Sequence, residues 1–328
     1  MHTDNHRPLL WKLVILLLIL IIIAANSGAL KLSVYQLSHI SCNDPLLRAW
    51  FNIRLPRILL AVIVGMALAS SGAVMQGLFR NPLADSGLLG ISSGAALMVA
   101  LTILFPAAFP SIVMLYGKMI AAFIGGMIIC LFIYLYSFNE QGNMAKLILL
   151  GVAINAIIGA VMGCLSYISD DIQLKQITLW SMGHLGKGSW ELVLVAVSLI
   201  FPALIMVLKL SYQLNILQLG DEDAHYLGIN VQRIKRYLLL LSALLIGTAV
   251  AVSGIIAFVG LVIPHMIRLR IGADHRWLIL GSALGGGCLL LLADTLARTV
   301  VAPAEIPVGL LTSLIGGPYF LWLILKHK

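Results

Sequence analysis

Ten apolar stretches alternate with short polar segments along the 328 residues of the chain. Most are close to the roughly 20 residues that cross a hydrocarbon core about 30 Å thick as a helix. The seventh and eighth stretches nearly merge, and we divide them because Ser253, Gly254, Gly260 and Pro264 are residues that interrupt helices. The predicted spans are 9–30, 56–79, 88–107, 112–137, 146–168, 191–209, 237–256, 257–271, 277–297 and 306–325.

The composition indicates an integral membrane protein. Hydrophobic residues make up 61% of the chain and charged residues only 10%, and the mean hydropathy is +1.04. Soluble domains carry about 25% charged residues, so the charges here cannot cover a water-exposed surface. We therefore expect an all-α membrane protein of about ten transmembrane helices, with residues 1–328 forming one transmembrane domain.

The basic residues favour an orientation with both termini in the cytoplasm. An even number of spans puts the termini on one side, and that side then holds thirteen of the 21 Lys and Arg residues, against eight on the other side. The formal net charge of +8 fits cationic loops at an anionic membrane leaflet. No basic run with interleaved aromatic residues is present, so we expect no nucleic-acid partner. The four cysteines form no close pair, and we expect no metal site.

A pattern of small residues repeats at an offset of 182 positions. The first copy begins in the second span and the second copy in the seventh, so the two copies would cross the bilayer in opposite directions. Such inverted repeats are common in transporters, although chance matches among Gly, Ala and Ser are an alternative. The predicted halves are 54–168 and 235–325. The matching pairs are Gly65 and Gly247, Ala67 and Ala249, Ala69 and Ala251, Ser71 and Ser253, Gly72 and Gly254, and Pro82 and Pro264.

Several motifs, in order, resemble the FecCD family of permeases, which serve ABC importers for ferric siderophores, haem and vitamin B12. The resemblance covers nearly the whole chain. It implies a type II ABC importer permease fold, a homodimer, two copies of a separate ATPase and one periplasmic binding protein, all at the cell inner membrane. The motifs are RLPR (54–57), SGAVMQ (71–76), NPLA (81–84), GDEDAHYLGINVQRIKR (220–236), GIIAFVGLVIPHMIRLRIGADHR (254–276), LLLADTLAR (290–298) and AEIPVGLLTSLIGGPYF (304–320).

The chain contains no phosphate-binding loop of its own. The nearest match is Gly183–Ser189, where the spacing between glycines is too short and no hydroxyl residue follows the lysine. We therefore expect a transport subunit and not an enzyme. ATP and Mg²⁺ would bind to the partner ATPase, and this chain would bind no cofactor.

The segment 210–236 is the predicted contact with the ATPase. Acidic residues crowd the start of a short helix, where the helix dipole is positive, and a glycine ends it. A solvated connector is the alternative, but the resemblance implies the coupling helices that sit in a cleft of the ATPase. The implied coupling residues are Gly220, Asp221, Glu222, Ala224, Leu227 and Gly228.

Three arginines mark the predicted outer face. Arg54 and Arg57 are three residues apart and share one helix face, while Arg298 ends the ninth span. Arginines at such positions can extend to phospholipid headgroups. The resemblance implies instead that they form salt bridges with glutamates of the binding protein. We also expect Asp294 and Arg298, four residues apart, to neutralise one another.

The fifth span is the predicted lining of the transport pathway. Its small residues recur at intervals of four, a pattern that also serves close helix packing. The resemblance places this helix beside the path at the dimer axis, with a cytoplasmic gate at the turn after the second span and in the loop before the fifth. The implied residues are Gly151, Asn155 and Gly159 for the pathway, and Asn81, Pro82, Leu83, Met144 and Ala145 for the gate.

The cargo is the least defined property. The loop 169–190 is similar to that of the haem-importing branch, so haem or a ferric siderophore is expected, with vitamin B12 as the alternative. An ion-coupled secondary transporter would need a midplane carboxylate pair, and an intramembrane enzyme would need a nucleophile and a base. The sequence offers neither arrangement.

Overall fold

A computed structural model describes residues 6–27, 45–106, 111–139, 144–186, 188–301 and 304–326, and all regular elements in these ranges are helical. Ten helices correspond one to one to the predicted spans. They are α1 (His6–Asn26), α3 (Leu55–Leu78), α4 (Ile91–Leu104), α5 (Ser111–Asn139), α6 (Met144–Ile168), α8 (Trp190–Lys209), α11 (Val231–Ser253), α12 (Val259–Ile271), α13 (His275–Ala297) and α14 (Val308–Lys326).

The prediction of about ten spans is therefore confirmed, although the helices differ in length. Seven described helical segments are long and apolar enough to cross a membrane. The others are α4 with 14 residues, α12 with 13, and α14, whose apolar part is 308–322. Four short helices lie at the ends of the bundle, namely α2 (Pro45–Ala49), α7 (Asp171–Ser181), α9 (Ser211–Leu217) and α10 (Asp221–Tyr226). A π-helical turn joins α2 to α3.

Helix α3 is the centre of the bundle and is buried along most of its length. A side chain at Gly65 would overlap the backbone of Gly286 on α13, and one at Gly72 would overlap Gly260 on α12. Only glycine permits this approach of two helix backbones. Gly65 and Gly72 therefore set the close packing of α3 against α13 and α12.

The break between the seventh and eighth spans lies at residues 254–258. Gly254 has φ 72° and Phe258 has φ 68°, so the chain turns there through left-handed conformations. The expected division is correct, but Pro264 lies inside α12 and does not end a helix. Helix α3 ends at Leu78, which the offset of 182 relates to residue 260. Helix α11 ends seven positions before that residue, at Ser253. The inverted repeat stays a prediction.

The two ends of the bundle carry different elements. We call the end that holds α9, α10 and the turn 79–85 the inner end, which is the predicted cytoplasmic end. The opposite end holds α2, α7 and residues 298–301 and 304–307, and we call it the outer end. Helix α7 begins with a capping box, in which Asp170 accepts a hydrogen bond from the Gln173 amide at 2.7 Å.

Candidate functional site

The predicted gate turn follows α3 at the inner end, and its side chains are exposed. The Asn81 Oδ1 accepts a hydrogen bond from the Leu83 amide at 2.9 Å, which fixes the tight turn through Pro82. Leu83 is 40% exposed. Leu83 is thus an exposed apolar side chain on a turn that a hydrogen bond closes, and the gate role of this turn stays a prediction.

The predicted pathway residues on α6 divide into two groups. Asn155 binds the segment beyond the gate turn, since its Nδ2 donates to the Gly87 carbonyl at 3.3 Å and its Oδ1 accepts from the Ser93 hydroxyl at 2.5 Å. Gly151 is buried, whereas Gly159 has open space around its Cα. The stripe is therefore packed at Gly151 and Asn155 and open at Gly159, and its role in lining the pathway stays a prediction.

Met144 and Ala145 begin α6, but their side chains, like the loop 140–143 before them, lie outside the described residues. Their predicted gate role stays a prediction.

The predicted coupling helix is present as α10. Gly220 precedes it with φ 139° and Gly228 follows it with φ 82°, and both values suit glycine. Tyr226 and Leu227 are exposed, and an open groove of about 810 Å³ runs along this surface from Glu222 to Gln232. Ala224 is fully buried, so the expectation that it presents a contact to a partner is wrong. Its methyl group faces inward because the helix packs against α9 and α11.

Asp221 of α10 is the centre of an ion cluster. One carboxylate oxygen binds Arg80 at 2.5 Å and the other binds Lys235 at 2.5 Å. Burial alone would raise the pKa of Asp221, but the pairing with Lys235 and Arg80 outweighs it and the pKa falls below its usual value. Sequence reasoning missed Arg80 and Lys235 because they lie 141 and 14 positions from Asp221.

The three outer arginines are buried. Arg54, Arg57 and Arg298 expose only 8%, 6% and 7% of their surfaces. The expectation of exposed arginines at the outer face is therefore wrong for the isolated chain. Spacing along one helix predicts a shared face, but it does not reveal that α1 and α13 cover that face.

Two of these arginines bind the C-terminal end of α1. The Arg54 Nη1 donates to the Ala25 carbonyl at 3.0 Å, and the Arg298 Nη2 donates to the Ala24 carbonyl at 2.5 Å. The last carbonyls of a helix lack partners within the helix and carry partial negative charge. Arg54 and Arg298 therefore anchor the outer end of α1 to the bundle.

Arg57 joins two carboxylates. Its Nη2 lies 2.9 Å from Asp294, which is fully buried, and its Nη1 lies 2.8 Å from Glu305, whose side chain is 49% exposed. Arg298 also pairs with Asp294, at 3.7 Å, so the predicted neutralisation is confirmed. The distance from Asp294 to Arg57 is shorter, at 2.9 Å. Sequence reasoning missed Glu305, although a carboxylate directly before the last apolar span was a visible signal.

Comparison with known proteins agrees with this architecture. The FecCD transport family matches residues 16–326. The chain is 63% identical to the hemin transport system permease protein HmuU of Yersinia pestis over 98% of this chain and 96% of the relative. It is 36% identical to the vitamin B12 import system permease protein BtuC of Vibrio vulnificus, over 98% and 96%.

A solved structure has the same fold. It is described as an inward-facing conformation of a metal-chelate type ABC transporter, with a TM-score of 0.87 and 36% identity over 98% of this chain and 99% of that chain. The helical bundle and these relatives define a multi-pass membrane permease of the ABC transporter class, which works with an ATPase partner. The chain belongs to the FecCD transport family.

Proposed function

We propose that this chain is the permease subunit of an ATP-driven importer that moves haem from the periplasm to the cytoplasm. The observation that carries the proposal is the 63% identity with a hemin permease over nearly the full length of both chains. A ferric siderophore or vitamin B12 is the alternative cargo, the latter supported by relatives that import vitamin B12. Both termini would lie in the cytoplasm.

The proposed working unit is a homodimer with two ATPase subunits and one periplasmic binding protein. The exposed apolar residues of α6, among them Leu149 and Ile157 at 68% and 65% exposure, support a face that packs against a second copy beside the pathway. ATP and Mg²⁺ would bind to the ATPase, whose attachment the exposed surface of α10 supports. This chain would supply the pathway and no covalent chemistry.

The cargo is tested with the assembled complex in liposomes. We would reconstitute the chain with the ATPase and the binding protein encoded beside it, and measure uptake of haem, a ferric hydroxamate and cyanocobalamin with ATP and without it. We expect ATP-dependent uptake of haem. ATP-dependent uptake of cyanocobalamin alone would contradict the cargo, and uptake by the lone chain driven by an ion gradient would contradict the permease role.

We also propose that the binding protein docks at the outer end, near Arg57. Because Arg57 is buried and paired, a partner carboxylate would have to replace Glu305, which is its exposed partner. Reversing the charge of Arg57 is a poor test, since the new carboxylate would face Asp294. Glu305→Gln is the better variant, and we expect faster association with the binding protein because a competing charge is removed.

Association would be followed by surface plasmon resonance on the detergent-solubilised complex. Lys175→Gln on α7, an exposed residue of the outer end, is the control for a change of one unit in surface charge. Equal association rates for the wild-type protein and Glu305→Gln would contradict docking at Arg57, provided that both proteins unfold at the same temperature.

A further inference from the structure

The turn that holds the predicted gate begins with a strained residue. Arg80 has φ 49°, a left-handed conformation that costs a non-glycine residue roughly 1 kcal/mol. Its amide donates to the Gly77 carbonyl at 3.1 Å, and the next amide, of Asn81, donates to the Gln76 carbonyl at 3.1 Å. These bonds close the C-terminal turn of α3. Such a conformation persists only where surrounding contacts hold it.

Those contacts come from the segment that precedes and begins the coupling helix. The Arg80 Nε donates to the Leu217 carbonyl at 2.9 Å, and its Nη2 binds the Asp221 carboxylate at 2.5 Å. From the other side, the Gln218 Nε2 donates to the Gly77 carbonyl at 2.7 Å. Three hydrogen bonds therefore join the end of α3 to the α9–α10 segment, and two of them use the guanidinium of Arg80.

Asp221 extends this connection to a third element. Its second carboxylate oxygen binds Lys235, which lies in the first turns of α11 and is 4% exposed. A buried ammonium group is costly without a partner, so Lys235 holds the Asp221 carboxylate firmly. The carboxylate is thus fixed between the gate turn, through Arg80, and α11, through Lys235. Any displacement of α10 acts on both elements.

We propose that Arg80 and Asp221 are positioning residues that convert movement of the coupling helix into movement of the gate turn. This inference rests on the proposed function, because it takes α10 as the ATPase contact and Asn81–Leu83 as the gate. A guanidinium that binds both a carbonyl and a carboxylate is a directional connection, unlike the loose contact of apolar side chains. Leu83 follows Arg80 by three residues in a turn that Asn81 closes with its own hydrogen bond, so the turn moves as a unit.

Loss of the Arg80–Asp221 connection should reduce the haem transported per ATP without preventing ATP hydrolysis. In Arg80→Ala the ATPase still binds, because the exposed surface of α10 is unchanged, but the gate turn no longer follows α10. We expect ATP hydrolysis within about twofold of the wild-type value and a roughly tenfold loss of haem transported per ATP hydrolysed. Asp221→Asn should show the same loss. The double variant should lose no more than the worse single variant, since the two residues act as one connection.

A conservative variant, Arg80→Lys, tests whether Arg80 positions the gate turn or only stabilises the fold. Arg80→Lys keeps a cation near Asp221 but cannot bind the Leu217 carbonyl at the same time, so we expect partial recovery of transport per ATP. Arg7→Ala is the matched control. It removes an exposed arginine from the same end of the bundle, and no ion pair of Arg7 occurs within the described residues. It should leave the ratio unchanged.

The experiment uses the complete complex in liposomes and measures haem uptake and phosphate release in parallel. Wild-type transport per ATP in Arg80→Ala would overturn the inference, as would equal losses in Arg80→Ala and Arg80→Lys. If the wild-type complex itself moves no haem with ATP, the proposed cargo fails instead. In that case the same variants are scored with whichever of the other two cargos the wild-type complex transports.

Discussion

The two ends of the bundle each hold one aspartate between two basic residues, but the clusters differ in burial. At the outer end Asp294 is fully buried between Arg57 and Arg298. At the inner end the Asp221 side chain is 47% exposed between Arg80 and Lys235. Breaking a buried cluster leaves charges without solvent, whereas water replaces much of what an exposed cluster loses. The same arrangement of charges therefore fixes the structure at one end and can transmit movement at the other.

The largest effect is expected at the outer cluster. Asp294→Asn leaves Arg57 with Glu305 alone and takes from the buried Arg298 the one carboxylate that the described residues give it, so we expect a loss of about 3 kcal/mol or more of stability. Thermal unfolding in detergent, followed by tryptophan fluorescence, measures it. Asp171→Asn, at an exposed position on α7, is the control. An unfolding temperature equal to that of the control would show that the buried cluster does not stabilise the fold.

A smaller effect is expected at the inner cluster. Asp221→Asn loses two ion pairs and leaves the buried Lys235 beside a neutral amide, but solvent still reaches the half-exposed Arg80 and position 221, so we expect a cost of about 1–2 kcal/mol. The same unfolding assay applies. A loss as large as that of Asp294→Asn would remove the distinction between the two ends, because burial would then not decide the strength of the cluster.

The contribution of the inner cluster to the stability of the fold should also depend on pH. The pKa of Asp221 in the folded protein lies below its ordinary value of 3.8, since pairing with Lys235 and Arg80 outweighs the effect of burial. A carboxylate with a depressed pKa stabilises the fold fully above its unfolded pKa and loses this contribution as the pH falls through the folded value. The difference in unfolding temperature between wild type and Asp221→Asn should therefore be constant from about pH 8 to pH 5 and shrink below about pH 4. A difference that shrinks between pH 7 and pH 5 would contradict the assigned pKa direction.

The smallest expected effect is that of salt. Ions screen exposed charges more than buried ones. Raising the salt concentration from about 0.05 to 0.5 M should reduce the destabilisation by Asp221→Asn by a few tenths of a kcal/mol and leave that of Asp294→Asn unchanged. Equal salt dependence of the two variants, measured by the same unfolding assay, would contradict the difference in burial.

The helices were predictable because each is encoded locally. An apolar run defines each span, and the acidic first turn with Gly228 defines α10. The close approach of α3 to its neighbours was also predictable, since Gly65 and Gly72 have few other uses at helical spacing. In each case the signal lies within the helix itself, although the glycines that Gly65 and Gly72 meet, Gly286 and Gly260, are distant in the chain.

The ion clusters were not predictable because their members are distant in sequence. Arg57 and Asp294 are 237 positions apart, and nothing in the pattern of either segment indicates the other. Arg54 and Arg57 lie at the start of α3, as their positions in the sequence predict, yet their burial depends on how α1 and α13 pack. Ala224 shows the same limit, since a small residue on a short helix can face a partner or the bundle with equal ease.

The anchoring of α1 has a consequence for the biogenesis of the protein. Arg298 and the Ala24 carbonyl are 274 positions apart, which corresponds to roughly 15 to 55 s of translation at about 5–20 residues per second. Helix α1 thus waits for the synthesis of α13 before the Ala24 carbonyl can bind Arg298. Arg54 lies only 29 positions from Ala25 and can bind its carbonyl early, whereas the Ala24 carbonyl gains Arg298 only when α13 is complete, so full anchoring of α1 is a late step of assembly.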